Sequence, residues 1–237
     1  METAKNIAWA RFWEERGRSY PDDDPIAIDG WDHGISLMGL EQAELLLEQI
    51  TRELALTSFS KFLEVGCGVG MLLAPLSGSV ERAVGFDLAE SMAKRARRIN
   101  KNLEIQVSEA CNLPYVSNEF DAILVYSVFH YFPSNAYANR ALREIFRICR
   151  KNGRIWIGDV PDKSKQRQAL LHKEQLKKKS VPKWPWPKIG PLKHRFYDKM
   201  FFAEFFESVD CKYRFVQQSV EGYVQGKYRY NVFIEKR

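Results

Sequence analysis

Apolar positions along this chain alternate between a helical period and the tighter period of strands. Trp9, Phe12 and Trp13 stand at i, i+3 and i+4, so they share one face of a predicted helix over 3–16, which Gly17 is placed to end. The run Pro21-Asp22-Asp23-Asp24-Pro25 favours turn or extended backbone. Residues 26–34 read as irregular and aromatic. A second helix is predicted over 40–56, with Leu40, Leu47, Ile50 and Leu54 along one stripe.

From residue 61 the two periods take turns. Phe62-Leu63-Glu64-Val65 reads as a buried strand, followed by Gly66, Gly68 and Gly70 on alternate positions. A short helix over 71–76 contains Pro75, which is comfortable only near a first turn. Strands are predicted over 82–87, around Leu103, Ile105 and Val107, over 120–125 and over 154–158. Helices fall between them, over 91–99 and along Leu142, Ile145, Phe146 and Cys149, with a turn at Lys151-Asn152-Gly153. Strands alternating with helices imply a parallel α/β sheet. Such sheets bind ligands at the carboxyl ends of their strands. The residues there are 64–70, Asp87, 108–110, 126–130 and Asp159.

Beyond Val160 the pattern changes. Residues 163–179 predict a helix with a basic face, and the prolines of 181–191 keep that run extended. A Phe-rich helix over 198–208 and two closing strands, 211–217 and 228–235, complete the chain.

The 237 residues suit one domain with an appendage or two small ones, and 45% hydrophobic with 28% charged residues is ordinary for a soluble globular protein. Met1 to Ala10 does not read as a secretory signal, and no run approaches membrane-spanning length. Cys67, Cys111, Cys149 and Cys211 are far apart without zinc-type spacing, so a reduced, cytoplasmic protein is the simplest expectation. The net charge of +6 is uneven: residues 163–199 hold twelve Lys/Arg and two acids, a balance of +10 against −4 for the remainder. A basic segment on a slightly acidic body points to an anionic partner.

These motifs together resemble the class I S-adenosylmethionine-dependent methyltransferases, of the small-molecule type. Glu64-Val-Gly-Cys-Gly-Val-Gly70 is similar to the first motif of that family. Gly85-Phe-Asp-Leu-Ala-Glu-Ser-Met92 is similar to the second, Glu109-Ala-Cys-Asn-Leu-Pro114 to the third, and Phe120-Asp121 with Ser127-Val-Phe-His-Tyr-Phe132 to the fourth. The resemblance implies an α/β, Rossmann-like, seven-stranded and mostly parallel sheet with helices on both faces. It further implies a division into an N-terminal helical and aromatic lid (1–57), an S-adenosylmethionine-binding core (58–160), a basic Pro/Trp-rich insertion (161–197) before the last two strands, and a C-terminal helix with the closing strands (198–237).

Asp87 lies seventeen residues beyond Gly70 at a strand end, where a carboxylate can accept from both ribose hydroxyls. A dinucleotide site would use such an acid too, but its turn reads G-x-G-x-x-G, unlike Gly-Cys-Gly-Val-Gly. By resemblance, Glu64, Gly66, Cys67, Gly68 and Gly70 border the amino-acid tail and ribose. Leu88 and Met92 flank the adenine, Glu109 and the Ala110 N–H read its edge, and Tyr126 and Ser127 stand near the methyl group. The expected cofactor is S-adenosylmethionine, leaving as S-adenosylhomocysteine, with no metal.

Methyl transfer needs a base only where the acceptor must lose a proton. His130, Tyr126 and Asp159 are the catalytic candidates; the alternatives are a packing or hydrogen-bonding histidine in this aromatic run and a turn or cap role for Asp159. The acceptor pocket is expected from Trp9, Trp13, Tyr20, Trp31, His33, Trp184, Trp186 and Arg195, although the first helix equally reads as a core face. Lys173 and its basic neighbours fit an anionic acceptor or a solvated helix face. The leading expectation is methyl transfer to O or N of a small, phosphate-bearing or sugar- or lipid-linked acceptor. An RNA methyltransferase and a non-catalytic S-adenosylmethionine-binding scaffold are the competitors, and the basic segment also permits contact with an anionic membrane surface. No Asn/Asp-Pro-Pro-Tyr motif follows the fourth strand, which weighs against the nucleic-acid reading.

Overall fold

The structure is a computed structural model that describes residues 8–21, 24–31, 39–177 and 193–237. The predicted start of the first helix, His33, and the run with Trp184 and Trp186 lie outside the described residues. Among the described residues, seven strands form one sheet: β1 (Lys61–Val65), β2 (Arg82–Asp87), β3 (Glu104–Val107), β4 (Phe120–Tyr126), β5 (Cys149–Pro161), β6 (Cys211–Gln217) and β7 (Arg229–Lys236). Their order is β3-β2-β1-β4-β5-β7-β6. The first five pair in parallel, and β7 runs antiparallel between β5 and β6. The fold is therefore the parallel α/β sheet that the alternation of periods implies, in the Rossmann-like, seven-stranded form that the resemblance implies.

Apolar runs without polar alternation make strands that are buried on both faces. Phe62, Ala122, Leu124 and Trp156 point to one side, where α1 (Ala8–Ser19), α3 (Leu40–Glu53) and α5 (Glu90–Ile99) pack. Leu63, Val65, Ile123, Val125, Ile155 and Ile157 point to the other, against α6 (Asn135–Ile148) and α8 (Lys199–Glu207). Strand order reverses between β1 and β4, which opens a crevice at their carboxyl ends.

The remaining helices are short or peripheral. Asp24 caps α2 (Pro25–Ile28) by accepting from the Ile26 and Ala27 N–H groups, with Pro25 at the first helical position. In α4 (Leu73–Ser77), Pro75 sits within the first turn, where its missing N–H costs nothing. The basic helix α7 (Gln166–Lys177) follows β5.

Tertiary contacts override the local prediction at four places. Gly17 does not end the first helix, which runs on to Ser19. There α1 crosses the start of α5 so closely that a Cβ on Gly17 would lie 2.5 Å from Ser91 Oγ and 2.7 Å from the Met92 nitrogen. Leu40 leaves the predicted stripe and is 72% exposed; Ala43, Leu46 and Ile50 are the buried face of α3, which ends at Glu53. The predicted turn at 151–153 is a bulge inside β5, with Asn152 at φ +61° and a register shift against Phe120 and Ala122 of β4. Finally, β5 continues past Gly158 to Pro161, because Val160 and Pro161 pair with Tyr230 and Arg229 of β7.

Alanine is favoured over glycine inside a helix by about 1 kcal/mol. Overpacking a close contact costs about 1–3 kcal/mol. At Gly17 the contact wins, so Gly17→Ala should lower unfolding stability in urea by about 1–2 kcal/mol. A raised midpoint would contradict the close crossing of α1 and α5.

Candidate functional site

The site is built on the turn after β1. The Gly66 and Cys67 N–H groups both donate to the Phe86 carbonyl, at 2.8 and 3.1 Å, which ties the turn to β2. Gly66 (φ +71°) and Gly68 (φ +55°) take a backbone conformation that side chains disfavour. They also leave no room: a Cβ on Gly66 would lie 2.5 Å from Val128 Cγ2, and one on Gly68 would lie 2.2 Å from Asp29 Oδ1.

Three carboxylates converge on this turn. Asp87 Oδ2 accepts from the Gly68 N–H at 3.0 Å, and its Oδ1 accepts from the Ala89 N–H at 2.8 Å. Asp29 Oδ1 accepts from the Val69 N–H at 3.0 Å. Glu64 is 4% exposed, and its Oε2 has no hydrogen-bond partner. Burial pushes Asp29 up to about 8 against the pull of the Val69 N–H, and Asp87 adds to the rise. Burial, then the charges of Asp29 and Asp87, hold Glu64 well above the usual carboxylate range. Burial raises Asp87 too, against the N–H groups of Ala89 and Gly68.

A cavity of about 240 Å³ runs from this turn across the carboxyl ends of β1, β4 and β5. Leu88, Met92, Ser108 and Ala110 line it beside β2, and Trp9 and Trp13 of α1 line it from above with Trp31. Trp9 packs on Tyr131 with ring centroids 4.7 Å apart and on His194 at 4.9 Å, while Trp31 faces Tyr126 at 5.9 Å.

Asp159 and Ser127 anchor the far end. Both have φ +59°; Ser127 follows the last residue of β4, and Asp159 lies within β5, not at its end as the sequence suggests. Asp159 Oδ2 accepts from Ser127 Oγ at 2.9 Å and from the Tyr223 hydroxyl at 3.2 Å, and Arg229 Nη1 lies 3.5 Å from it. Asp159 is 2% exposed, and its Oδ1 has no partner. Burial raises Asp159 above the usual range although Arg229 and the hydrogen bonds pull it down. Arg229 also approaches His130 Nδ1 at 3.4 Å. Burial, then His194 and Arg229, hold His130 well below its ordinary value, so it is neutral. The Tyr126 hydroxyl accepts from Gln218 Nε2 at 2.6 Å, and burial holds it well above the ordinary phenol value.

The cavity thus brings together Glu64, Gly66, Cys67, Gly68, Asp87, Leu88, Met92, Ala110, Tyr126, Ser127, His130, Asp159, Trp9, Trp13 and Trp31. Other expected residues stand apart from its lining. Glu109 accepts from Cys111 Sγ at 3.7 Å, and Gly70 turns the chain beneath Leu103. Tyr20 is buried behind the wall under the Arg16 guanidinium, and its carbonyl accepts from Arg95 at 2.8 Å. Arg195 donates to the carbonyls of Phe132, at 3.2 Å, and Pro133, so it secures the loop after β4. Asp29, Tyr131, His194, Tyr223 and Arg229 line the cavity without having been singled out from sequence. The one available signal was Asp29, an acid in an otherwise apolar run between Ile28 and Trp31.

Residues 63–157 match the methyltransferase domain family. The matched stretch, which is less than half of the chain, and the order of the strands around it are similar to those of class I S-adenosylmethionine-dependent methyltransferase domains. The chain is 30% identical over 145 residues to Methyltransferase GfsG of Streptomyces halstedii, a match covering 58% of this chain and 51% of that protein. It is 31% identical over 112 residues to the Mus musculus protein named Probable tRNA methyltransferase 9B, covering 46% of this chain and 24% of that one. The chain therefore spans about half the length of the first relative and a quarter of the second. Its fold is similar to that of Phosphoethanolamine N-methyltransferase 1 of Haemonchus contortus, with TM-score 0.68 at 13% identity, over 99% of this chain and 50% of that one.

The residues present fit S-adenosylmethionine. The unpartnered Glu64 oxygen suits its cationic amino-acid tail, the backbone of Gly66 and Gly68 borders the cavity with Val128 and Asp29 closed against it, and Asp87 is placed for the ribose. No group of His, Cys, Asp and Glu among the described residues is arranged to hold a metal ion. Two hydrogen bonds to a carboxylate are together worth about 3 kcal/mol. Asp87→Ala should therefore weaken S-adenosylhomocysteine binding about 100-fold by calorimetry. Unchanged affinity would remove Asp87 from the cofactor site.

Proposed function

We propose that this protein transfers a methyl group from S-adenosylmethionine to an oxygen or nitrogen of a small, anionic acceptor, of the phosphate-bearing or sugar- or lipid-linked kind, releasing S-adenosylhomocysteine. The observation that carries this reading is the single cavity joining the glycine turn to the unpartnered Asp159 Oδ1. When bound, the cofactor supplies an electrophilic methyl on a sulfonium. What the chain supplies is position, exclusion of water and a place for a proton.

Asp159 is the acceptor-facing base in this reading. Its Oδ2 is held by Ser127 and Tyr223, which leaves Oδ1 for an acceptor O–H or N–H. His130 fits the base role less well. A guanidinium only donates, so His130 Nδ1 meets Arg229 as an acceptor, and the neutral ring then keeps its proton on Nε2. His130 is thereby a hydrogen-bond donor to the acceptor, and Tyr126 a neutral phenol that orients it. Trp9, Trp13 and Tyr131 offer a flat apolar wall. Lys173 lines the same end, close enough to His130 and His194 to depress both, and it supports an anionic acceptor.

A cytoplasmic setting belongs to the same proposal, supported by four free cysteines. No helix among the described residues is long and apolar enough to cross a membrane. The relative named for tRNA and the basic segment at 163–199 favour a second reading, methylation of RNA. A labelled-methyl assay on fractionated cell extract separates the two: label in small metabolites supports the first, and label in RNA with steeply salt-dependent binding supports the second.

Asp159→Asn should lower kcat about 100-fold or more while leaving S-adenosylhomocysteine affinity within about twofold. Because the base must be ionised and burial raises Asp159, wild-type activity should rise with pH through a point above the usual carboxylate range. Undiminished turnover in the variant would exclude Asp159 as the base.

A further inference from the structure

The N-terminal segment reaches further into the site than a cover over the acceptor requires. Arg16 of α1 is 1% exposed and donates to the Ile28 carbonyl at 2.5 Å and to the Ala27 carbonyl. The Asp29, Gly30 and Trp31 N–H groups donate back to the Pro25, Ala27 and Ile26 carbonyls, at 3.0, 3.0 and 2.9 Å. Asp29 is thus held at the end of a braced turn, not on a free loop. Its carboxylate lies against Gly68 where a Cβ would stand, and it accepts from the Val69 N–H. Gly68 is empty of side chain on the face that Asp29 occupies.

Glu64 approaches the same place from β1. It is almost fully buried, lines the cavity, and offers an oxygen with no partner. Burying a carboxylate with one oxygen unpartnered is costly, so the arrangement calls for a cation or a proton. Asp87 is committed to the Gly68 and Ala89 N–H groups and faces the ribose position.

We infer that Asp29 joins Glu64, the acid already placed at the cofactor's amino-acid tail, as a second carboxylate on its ammonium group, so that the N-terminal segment is a structural part of cofactor binding. This rests on the cofactor reading above and assigns to it a residue outside the methyltransferase-domain match, which begins at residue 63. Two carboxylates from distant parts of the chain close on one cation. The raised values of Asp29, by burial and then Asp87, and of Glu64, by burial and then Asp29 and Asp87, agree with a site that holds protons until a cation replaces them. Arg16 acts on Asp29 in the opposite sense.

Two ligands test this by calorimetry: S-adenosylhomocysteine, which carries the amino-acid tail, and 5′-methylthioadenosine, which lacks it. Asp29→Asn keeps the acceptor for Val69 and removes the charge. It should weaken S-adenosylhomocysteine binding about tenfold or more, the loss expected for one charge-assisted hydrogen bond. Methylthioadenosine affinity should stay within about twofold, which also certifies that the variant is folded. Glu64→Gln should show the same pattern. Equal loss for both ligands, or no loss for either, would overturn the inference. Failure of the wild-type chain to bind S-adenosylhomocysteine would instead overturn the cofactor reading on which it rests.

Discussion

The site depends on a steric vacancy. The backbone after β1 must turn back on itself while remaining free of side chains on the face toward Val128 and Asp29. Gly66 and Gly68 satisfy both demands, and the paired N–H groups donating to Phe86 fix the turn to the neighbouring strand. The reversal of strand order beside β1 then leaves the space above the turn uncovered by the sheet. Helix α1 and the segment through Trp31 roof it. The absence of Cβ atoms lets Val128 and Asp29 close against the turn, while the strand reversal and the roof of α1 make the cavity and its aromatic wall.

Burial gives the two ends of the cavity different chemistry. At the glycine turn, Glu64, Asp29 and Asp87 are crowded together, which suits a cationic tail and a ribose. At the other end Asp159 is matched by Arg229, with neutral His130 and His194 beside Lys173. In the proposed function, that end suits a hydrogen-bond donor at Asp159 Oδ1 and an anionic substituent near Lys173. Strained backbone at Ser127, just after β4, and at Asp159, within β5, accompanies the hydrogen bond between their side chains, and the Asn231 side chain secures it by accepting from the Asp159 N–H at 3.0 Å. Strain of this kind persists only where surrounding contacts hold it.

Much of this was legible in the sequence because it is local. The strand and helix periods place β1 to β4 within a residue or two, and the glycine spacing with Asp87 marks the crevice. What was not legible depends on partners distant in sequence. Gly17 is helical because Ser91 and Met92 lie against it, and β5 is long because β7 pairs with its end. Asp29 sits in a run that periodicity reads as irregular; the bracing by Arg16 and the backbone bonds of the turn hold it at Gly68. Arg229 and Tyr223 come from the closing strand and the loop before it, where no motif draws the eye. Tyr20 and Arg195 have the residue types of a binding wall, but the chain uses them to hold Arg16 and the loop after β4.

The central claim is that the cavity between the glycine turn and the N-terminal segment receives S-adenosylmethionine with its methyl toward Asp159. A crystal structure of the chain with S-adenosylhomocysteine tests it most directly. The account predicts ribose hydroxyls on Asp87, the amino-acid tail at the glycine turn, and the sulfur facing the Asp159 end. Ligand bound elsewhere, or a reversed pose with the tail beside Met92, would contradict it.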